Sequence, residues 1–216
     1  ENMLWKGINA LYNYQFSNSI QYLDSAYIID ATHPVTPFVS IMAKMYLTQT
    51  TLSYDSSYKV LHEEVEKTIP IYEKLIKLYP EEARYNLFLG STYGIKARVS
   101  LAKKEWLNVI YSGYKGLSFV KKSQKMDSKL WDASMPIGLL DYYVCISSMP
   151  VQWIGRIFGL NPDCSTGILE LETAMQKAEY AWIESANVLT YAYLYFEKKP
   201  NKALAIVSPL VDQFPG

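Results

Sequence analysis

The two histidines are the residues of this sequence best suited to acid–base or metal chemistry. His62 is followed by three glutamates within four residues, in the order His-Glu-Glu-Val-Glu. A zinc-protease helix needs a second histidine four residues after the first, with a glutamate between them, and that position here is Glu66. A weak metal site or a hydrolase centred on His62 is one interpretation, and a solvated, charged helix face is the expected one. His33, just before Pro34, is expected to cap a turn or lie on the surface.

Other catalytic signatures do not occur in the sequence. No serine lies in the G-x-S-x-G elbow that exposes a hydrolase nucleophile. The glycines of residues 90–94 and 113–116 lack the lysine and hydroxyl spacing of a phosphate-binding loop, and they fall inside predicted helices. We therefore expect a protein that is not an enzyme and holds no metal or cofactor.

The two cysteines allow two interpretations. Cys145 and Cys164 are 19 positions apart, which is neither a C-x-x-C redox pair nor a zinc-binding pattern. A disulfide between them is one alternative, in an oxidising compartment. Two unpaired, buried thiols are the expected one, because free cysteine packs as a small hydrophobic residue.

The composition indicates ample core-forming residues and no net charge. Of 216 residues, 50% are hydrophobic and 14% aromatic, with 19 tyrosines that we expect to seal seams between helices. Lysine plus arginine equals aspartate plus glutamate at 21 each, which argues against a nucleic-acid partner, since phosphate binding needs a basic excess. No apolar run reaches the ~18 residues of a transmembrane segment.

Apolar residues recur at helical spacing along nearly the whole chain. Pro70 falls inside one predicted helix and is expected to kink it, because the apolar face continues on both sides. Ser17 and either Asp127 or Ser128 are the expected N-caps. Ten helices form five predicted pairs, at residues 3–14, 18–31, 37–52, 57–79, 82–101, 105–126, 128–147, 165–177, 182–197 and 201–213.

One pattern recurs in the second helix of these pairs: a small residue, a large apolar residue four positions later, and a third position three after that. The four occurrences and a weaker fifth are Ser19-Leu23-Ala26, Gly116-Val120-Ser123, Gly167-Leu171-Ala174, Ala203-Val207-Leu210 and Thr68-Tyr72-Leu75. Their first residues are 49, 48, 51 and 36 apart along the chain. A common type of helix-pair repeat is ~34 residues long, and three of these intervals are longer by about four helical turns. A helix that gains whole turns keeps its apolar residues on the same face, so a lengthened repeat could still stack.

Three segments connect this pattern to a known family. They are residues 89–93 (Leu-Gly-Ser-Thr-Tyr), the unit from Gly7 to Asp30, and the closing unit from Asn201 to Pro215. In these segments the chain resembles the tetratricopeptide-repeat (TPR) family. The order of segments is also similar to that of uncharacterised bacterial TPR proteins with enlarged repeats, many of them apparently exported.

The resemblance implies an all-α, right-handed TPR-like superhelix, a solenoid of about five antiparallel helix pairs in a single domain over residues 1–216. Its units would be residues 1–34, 35–80, 81–127, 128–178 and 179–216. Such arrays bind partners on a concave face lined by their first helices. We therefore expect a scaffold that binds a protein or peptide. The candidate partner-binding residues are Asn9, Tyr12, Arg84, Ser91 and Tyr191.

An alternative function is a carrier of a small apolar ligand or lipid. Its basis is the abundance of tyrosine, tryptophan and methionine in the long central units, where these side chains would enclose a pocket. The chain begins at Glu1 and ends one residue after a proline, so it is expected to be a fragment of a longer protein. The family resemblance favours export from a bacterial cell.

Residues 151–160 interrupt the fourth pair with a short predicted helix at 151–158. Five large apolar residues surround a single basic one, Arg156. One interpretation is an exposed amphipathic segment that touches a membrane or a partner helix. We expect instead that the segment folds back over the widened gap between the helices of the fourth pair, because membrane-surface helices are typically richer in lysine and arginine.

Overall fold

Eleven α-helices dominate the computed structural model, which describes residues 1–215. No strand forms within those residues, so the all-α prediction is confirmed. None of the described helices is both long and apolar enough to cross a bilayer. The chain divides into two compact units, residues 1–122 and 123–215, and the predicted single domain of five repeats stays a prediction.

Unit 1 consists of helix hairpins joined by short turns. Its helices are α1 Asn2–Tyr12, α2 Phe16–Ile29, α3 Thr36–Thr51, α4 Tyr54–Leu78, α5 Ala83–Ala102 and α6 Trp106–Met126, the last of which contains the division between the units. Consecutive helices from α1 to α5 pack on one another, and α3 also neighbours α1 and α5. Tyr14 and Lys104 adopt positive φ angles in the turns after α1 and α5.

Glycine sets the closest approach within two hairpins of unit 1. A Cβ added at Gly7 would lie 2.7 Å from Cγ of Leu23, and Ser19 Oγ donates a 2.8 Å hydrogen bond to the Gly7 carbonyl. Between α5 and α6, a Cβ at Gly90 would lie 2.6 Å from the carbonyl oxygen of Gly116. Small residues of the repeated sequence pattern therefore lie at helix crossings, where neighbouring backbones touch.

Two tyrosine hydroxyls fasten the connection between α2 and α3. Tyr72 of α4 is fully buried and donates a 2.8 Å hydrogen bond to the Pro34 carbonyl. Tyr85 of α5 donates a 2.7 Å hydrogen bond to the Thr32 carbonyl. Burial raises the pKa of both phenols, so both remain hydrogen-bond donors. Here tyrosine seals the seam between helices, as the composition predicts.

Unit 2 contains two helix hairpins and an inserted helix. After a 3₁₀ turn at Trp131–Ala133 come α7 Ser134–Cys145, α8 Met149–Ile157, α9 Cys164–Lys177, α10 Trp182–Tyr191 and α11 Pro200–Gln213, with a π-helical turn at Ala192–Phe196. Helix α9 packs against α7 and α10, and α11 packs against α10. The close crossing recurs here, because a Cβ at Gly138 of α7 would lie 2.8 Å from the carbonyl oxygen of Gly167 in α9.

A buried carboxylate positions the start of α10. Oδ1 of Asp132 accepts 2.8 Å hydrogen bonds from the backbone N–H groups of Tyr180 and Ala181, and Oδ2 accepts one of 3.1 Å from Glu179. Backbone donors at a helix start have no acceptor within the helix and need one from elsewhere. Asp132 supplies it from 47 to 49 residues upstream.

Several predicted helix starts are corrected by the structure. Ser17 is not an N-cap, because α2 begins one residue earlier. Helix α4 begins at Tyr54, where Ser53 is the N-cap and accepts the Ser56 N–H, and it continues through Pro70. Helix α7 begins at Ser134 and not near residue 128, because the chain first makes a turn and a 3₁₀ segment. Neither predicted cap at 127–128 therefore starts a helix.

Cys145 and Cys164 form a disulfide, so the expectation of two free thiols is wrong. Cys145 is the last residue of α7 and Cys164 is the first of α9. The antiparallel packing of these two helices brings their ends together, with the Cα atoms 5.4 Å apart. The bond closes a loop that contains α8.

Candidate functional site

The helix around His62 presents a charged face held by ion pairs. His62 Nδ1 lies 3.9 Å from Oε1 of Glu66, and the same carboxylate oxygen lies 2.6 Å from the ammonium of Lys96. The nearby Glu64 binds the ammonium of Lys44 at 2.7 Å. Burial disfavours the charged form of Glu64, yet its hydrogen bonds from lysine hold its pKa below the ordinary value. Glu64 and Glu66 are thus paired with lysines, which agrees with a charged helix face.

His33 lies in the turn after α2 and acts as a hydrogen-bond acceptor there. Its Nδ1 accepts a 3.3 Å hydrogen bond from the backbone N–H of Val35. Burial lowers the pKa of His33, which favours the neutral ring that can accept this bond. The predicted capping role is confirmed. Within residues 1–215, no three histidine, cysteine, aspartate or glutamate side chains gather closely enough to hold a metal ion.

Four of the five predicted partner-binding residues lie in unit 1, on α1 and α5. Asn9 is exposed and Tyr12 is half-buried, about one turn further along α1. Arg84 and Ser91 are both half-buried and lie about two turns apart on α5. Arg84 Nε donates a 2.9 Å hydrogen bond to Oε1 of Glu82, the N-cap of α5, so its charge is already paired. A binding role for these four residues stays a prediction.

Tyr191, the fifth predicted residue, belongs to a group of exposed aromatic side chains in unit 2. Its ring stacks on that of Tyr195, with the centroids 5.6 Å apart. Phe196 follows Tyr195 in the π-helical turn, and Tyr143 lies on α7, which neighbours α10. These four residues, Tyr143, Tyr191, Tyr195 and Phe196, are 48 to 62% exposed. We call them the aromatic surface.

The buried ring of Tyr142 connects the two helices that carry the aromatic surface. It meets Tyr143 edge-on with centroids 6.5 Å apart, and it meets Phe196 edge-on at 6.3 Å. Edge-to-face pairs of this kind are favourable beyond the apolar area that they bury. Both exposed rings are therefore held in place by one ring of the core.

The π-helical turn at Ala192–Phe196 determines which aromatic side chains reach α7. The backbone N–H of Glu197 bonds to the Ala192 carbonyl at 2.9 Å, five residues back, where a regular α-helix would bond four back. One extra residue in a turn rotates the following side chains by about 100°. Turns of this type occur preferentially at functional sites. Here the turn brings Phe196 against Tyr142.

Two buried tyrosines of unit 2, Tyr142 and Tyr193, donate hydrogen bonds to glutamates. The Tyr142 hydroxyl donates a 3.2 Å hydrogen bond to Oε1 of Glu197, and the Tyr193 hydroxyl donates one of 2.6 Å to Oε1 of Glu172. Burial and then the negative charge of Glu197 raise the pKa of Tyr142 to about 12. Burial and then Glu172 raise the pKa of Tyr193 as well. Both phenols therefore stay protonated. Glu197 also binds the ammonium of Lys199 at 3.1 Å, and the ammonium of Lys202 lies 5.0 Å from the centre of the Tyr193 ring.

Tyr191 was predicted from the sequence, and the other three residues of the aromatic surface were not. A signal for two of them was present, because four of the six residues from 191 to 196 are aromatic. The missing information was the π-helical turn, because it changes the direction of Phe196, which contacts Tyr142. Tyr143 was not predictable from local pattern, because its place depends on the packing of α7 beside α10.

Helix α8 is exposed, so the expectation that residues 151–160 cover a gap is wrong. Its buried residue is Gly155, where a Cβ would lie 2.6 Å from Cγ1 of Val144 on α7. Trp153 and Ile157 are 64% and 60% exposed. The glycine allows α8 to touch α7 closely. Phe158 and Leu160, just after α8, are half-buried, while Trp153, Ile154 and Ile157 are exposed.

No protein-family model matches this sequence, and no curated protein is significantly similar to it. The assignment of function therefore depends on the geometry of the exposed residues described above.

Proposed function

We propose that the protein is a non-enzymatic helical-repeat scaffold that binds an extended peptide segment of a protein partner. The observation that carries this proposal is the aromatic surface of unit 2. Large exposed apolar groups that lie together commonly mark binding sites. Tyrosine offers a large contact area at a low cost in conformational entropy, and it is enriched among the residues that dominate interfaces.

The chemistry of the aromatic surface favours a peptide that contains proline. Surfaces lined by aromatic rings bind proline-rich segments in the polyproline II conformation. The carboxylate of Glu197, beside Tyr142, already binds the ammonium of Lys199 at 3.1 Å, so it adds no preference for a basic residue. The expected ligand is therefore an extended segment that contains proline.

We propose further that the hairpins stack as a right-handed TPR-like superhelix. Within unit 1 the first helices α1, α3 and α5 are neighbours, and within unit 2 α7 neighbours α10, as in arrays whose first helices line one face. In such an array the predicted binding residues would lie on the concave side: Asn9, Tyr12, Arg84, Ser91 and Tyr191. Small-angle X-ray scattering tests the shape, and a profile typical of a closed sphere would contradict it.

A phage-displayed peptide library, selected against the immobilised 216-residue chain, supplies defined probes for the binding proposal. Each enriched peptide is synthesised, and its affinity is measured by fluorescence anisotropy. We expect the double substitution Tyr191→Ala and Tyr195→Ala to weaken binding at least tenfold, because truncation of a central aromatic residue costs ~2 kcal/mol or more.

A second pair of tyrosines in ring contact, four residues apart on one helix, provides the control. Tyr54 and Tyr58 lie in unit 1 with ring centroids 4.7 Å apart. Replacement of both by alanine should leave the affinity unchanged. Failure of any peptide to enrich, or an equal loss in both double variants, would show that the aromatic surface is not the binding site.

The carrier hypothesis stays a prediction. Native mass spectrometry of gently purified protein tests it, because a carrier retains a stoichiometric lipid or cofactor mass. We propose that the protein works in an oxidising compartment, which agrees with the export that the family resemblance implies. The disulfide between Cys145 and Cys164 supports this location, since such bonds persist mainly outside reducing cytosol.

A further inference from the structure

The side of α8 that faces the protein is small and polar. Gly155 contacts Val144 of α7. The side-chain amide of Gln152 donates hydrogen bonds of 2.8 Å to the Cys145 carbonyl and 3.0 Å to the Ser147 carbonyl, at the end of α7. These contacts satisfy carbonyl groups that a helix end leaves without intrahelical donors.

The side of α8 that faces solvent is apolar. At 100° per residue, Met149, Trp153 and Ile157 fall opposite Gly155. All three are exposed, together with Ile154. A helix on a protein surface normally directs its apolar stripe inward and its polar residues outward. In α8 these large apolar side chains face outward, so a membrane or another apolar surface can contact them.

The segment around α8 is firmly attached to the protein. The disulfide joins its two ends, Cys145 and Cys164. The backbone N–H of Asn161 donates a 2.8 Å hydrogen bond to the buried carboxylate of Asp141. The apolar side is therefore displayed by a fixed structure.

The charge of this segment suits a phospholipid surface. Residues 146–162 contain a single charged side chain, Arg156, and no carboxylate. Arg156 is exposed in the last turn of α8, beside the apolar side. Insertion at a bilayer would therefore desolvate no negative charge, and the guanidinium would meet a lipid phosphate.

The size of α8 argues against a protein as the occupant. A stable protein interface takes about 20–30 residues from each partner. Helix α8 has nine residues, a length of about 13 Å, and offers only a few large side chains. A bilayer has no such threshold, because each apolar side chain that enters it contributes separately. Tryptophan is also the residue enriched where proteins meet the membrane interface.

We propose that α8 inserts its apolar side, Met149, Trp153, Ile154 and Ile157, into the interfacial region of a phospholipid bilayer, with Arg156 at the headgroups. This anchor is independent of peptide binding at the aromatic surface. Insertion is driven by apolar contact and supported by one cation, so binding persists at high salt concentration.

Co-sedimentation of the 216-residue chain with phospholipid vesicles tests this proposal. We expect binding to vesicles of phosphatidylcholine, and roughly fivefold tighter binding when half of the lipid is phosphatidylglycerol, because one basic residue adds that much near an anionic surface. Arg156→Gln should make the affinity for the two kinds of vesicle equal, at the value for phosphatidylcholine alone. The double substitution Trp153→Glu and Ile157→Glu should weaken partitioning at least about tenfold on both kinds of vesicle.

The matched control lies on α6, where Trp106 and Leu107 are 62% and 84% exposed. Trp106→Glu with Leu107→Glu should leave vesicle binding unchanged. Circular dichroism and an intact disulfide establish that each variant is folded. Absence of vesicle binding by the unmodified chain, or an equal loss in both double variants, overturns the proposal. So does a dimer in light scattering that Trp153→Glu abolishes, because the apolar side would then be a protein interface.

Discussion

The hydroxyl of Tyr142 donates a hydrogen bond to the carboxylate of Glu197 at 3.2 Å. Tyr142 lies on α7, and Glu197 follows the π-helical turn at the end of α10. The bond therefore fastens α7 to the end of α10. It also fixes the core ring that holds Tyr143 and Phe196 at the surface.

We expect the free energy of unfolding to fall as the pH rises from about 10 to about 12. Folding raises the pKa of Tyr142 from 10.0 to about 12, mainly through burial. Below pH 10 the phenol is protonated in both states, and its stabilising effect is fully present. Between the two pKa values the unfolded chain loses the proton first, so stability declines. Urea unfolding at a series of pH values should show a smaller decline in Tyr142→Phe, and an equal decline would contradict this assignment.

Gly90→Ala should destabilise the protein by about 1–3 kcal/mol, the usual effect of an extra methyl in a packed site. The added Cβ would lie 2.6 Å from the carbonyl oxygen of Gly116. Gly94→Ala and Gly113→Ala, on the same two helices, are controls, because a Cβ at either position meets no atom within 4 Å. Thermal unfolding should show the controls unchanged or stabilised by up to ~1 kcal/mol. If Gly90→Ala left the stability unchanged, this helix crossing would not require glycine.

Asp132→Ala should cost about 3 kcal/mol of stability, because three backbone donors lose the buried carboxylate that accepts their hydrogen bonds. Hydrogen exchange should accelerate at the amides of Tyr180 and Ala181, which the carboxylate now protects. Asp127→Ala is the control, since its exposed carboxylate accepts the Lys129 N–H in a surface turn. If those two amides kept their protection in Asp132→Ala, the carboxylate would not be what holds the start of α10.

Removal of the disulfide by Cys145→Ser and Cys164→Ser should lower stability by about 3 kcal/mol, the value for closure of a loop of this length. A reducing agent should lower the unfolding temperature of the unmodified chain to that of the double variant, and should leave the variant itself unaffected. Mass spectrometry after thiol alkylation, without reduction, should find no modified cysteine. Two alkylated cysteines in freshly isolated protein would argue against an oxidising compartment.

Helices and hairpin crossings were largely predictable, because both depend on residues close in sequence. The buried face of α4 is readable on both sides of Pro70, and the helix does continue through it. Gly116 and Gly167 predict helix crossings, because two backbones that approach closely leave no room for a side chain. The predicted start of α7 was wrong, because a turn and a 3₁₀ segment precede Ser134.

The features that sequence could not provide depend on contacts between distant elements. Cys145 and Cys164 meet only because α7 and α9 are antiparallel, and their spacing is equally compatible with separate thiols. Phe196 faces α7 because of one extra residue in a helical turn. The apolar side of α8 was visible as a pattern, but its direction depends on the contact of Gly155 with α7.

Asp132 precedes the hairpin of α7 and α9, while the amides that it binds precede the hairpin of α10 and α11. Loss of either hairpin would break these three hydrogen bonds. We therefore expect the carboxylate to couple the two hairpins, so that unit 2 unfolds as one cooperative block and does not fray one hairpin at a time, as repeat arrays do.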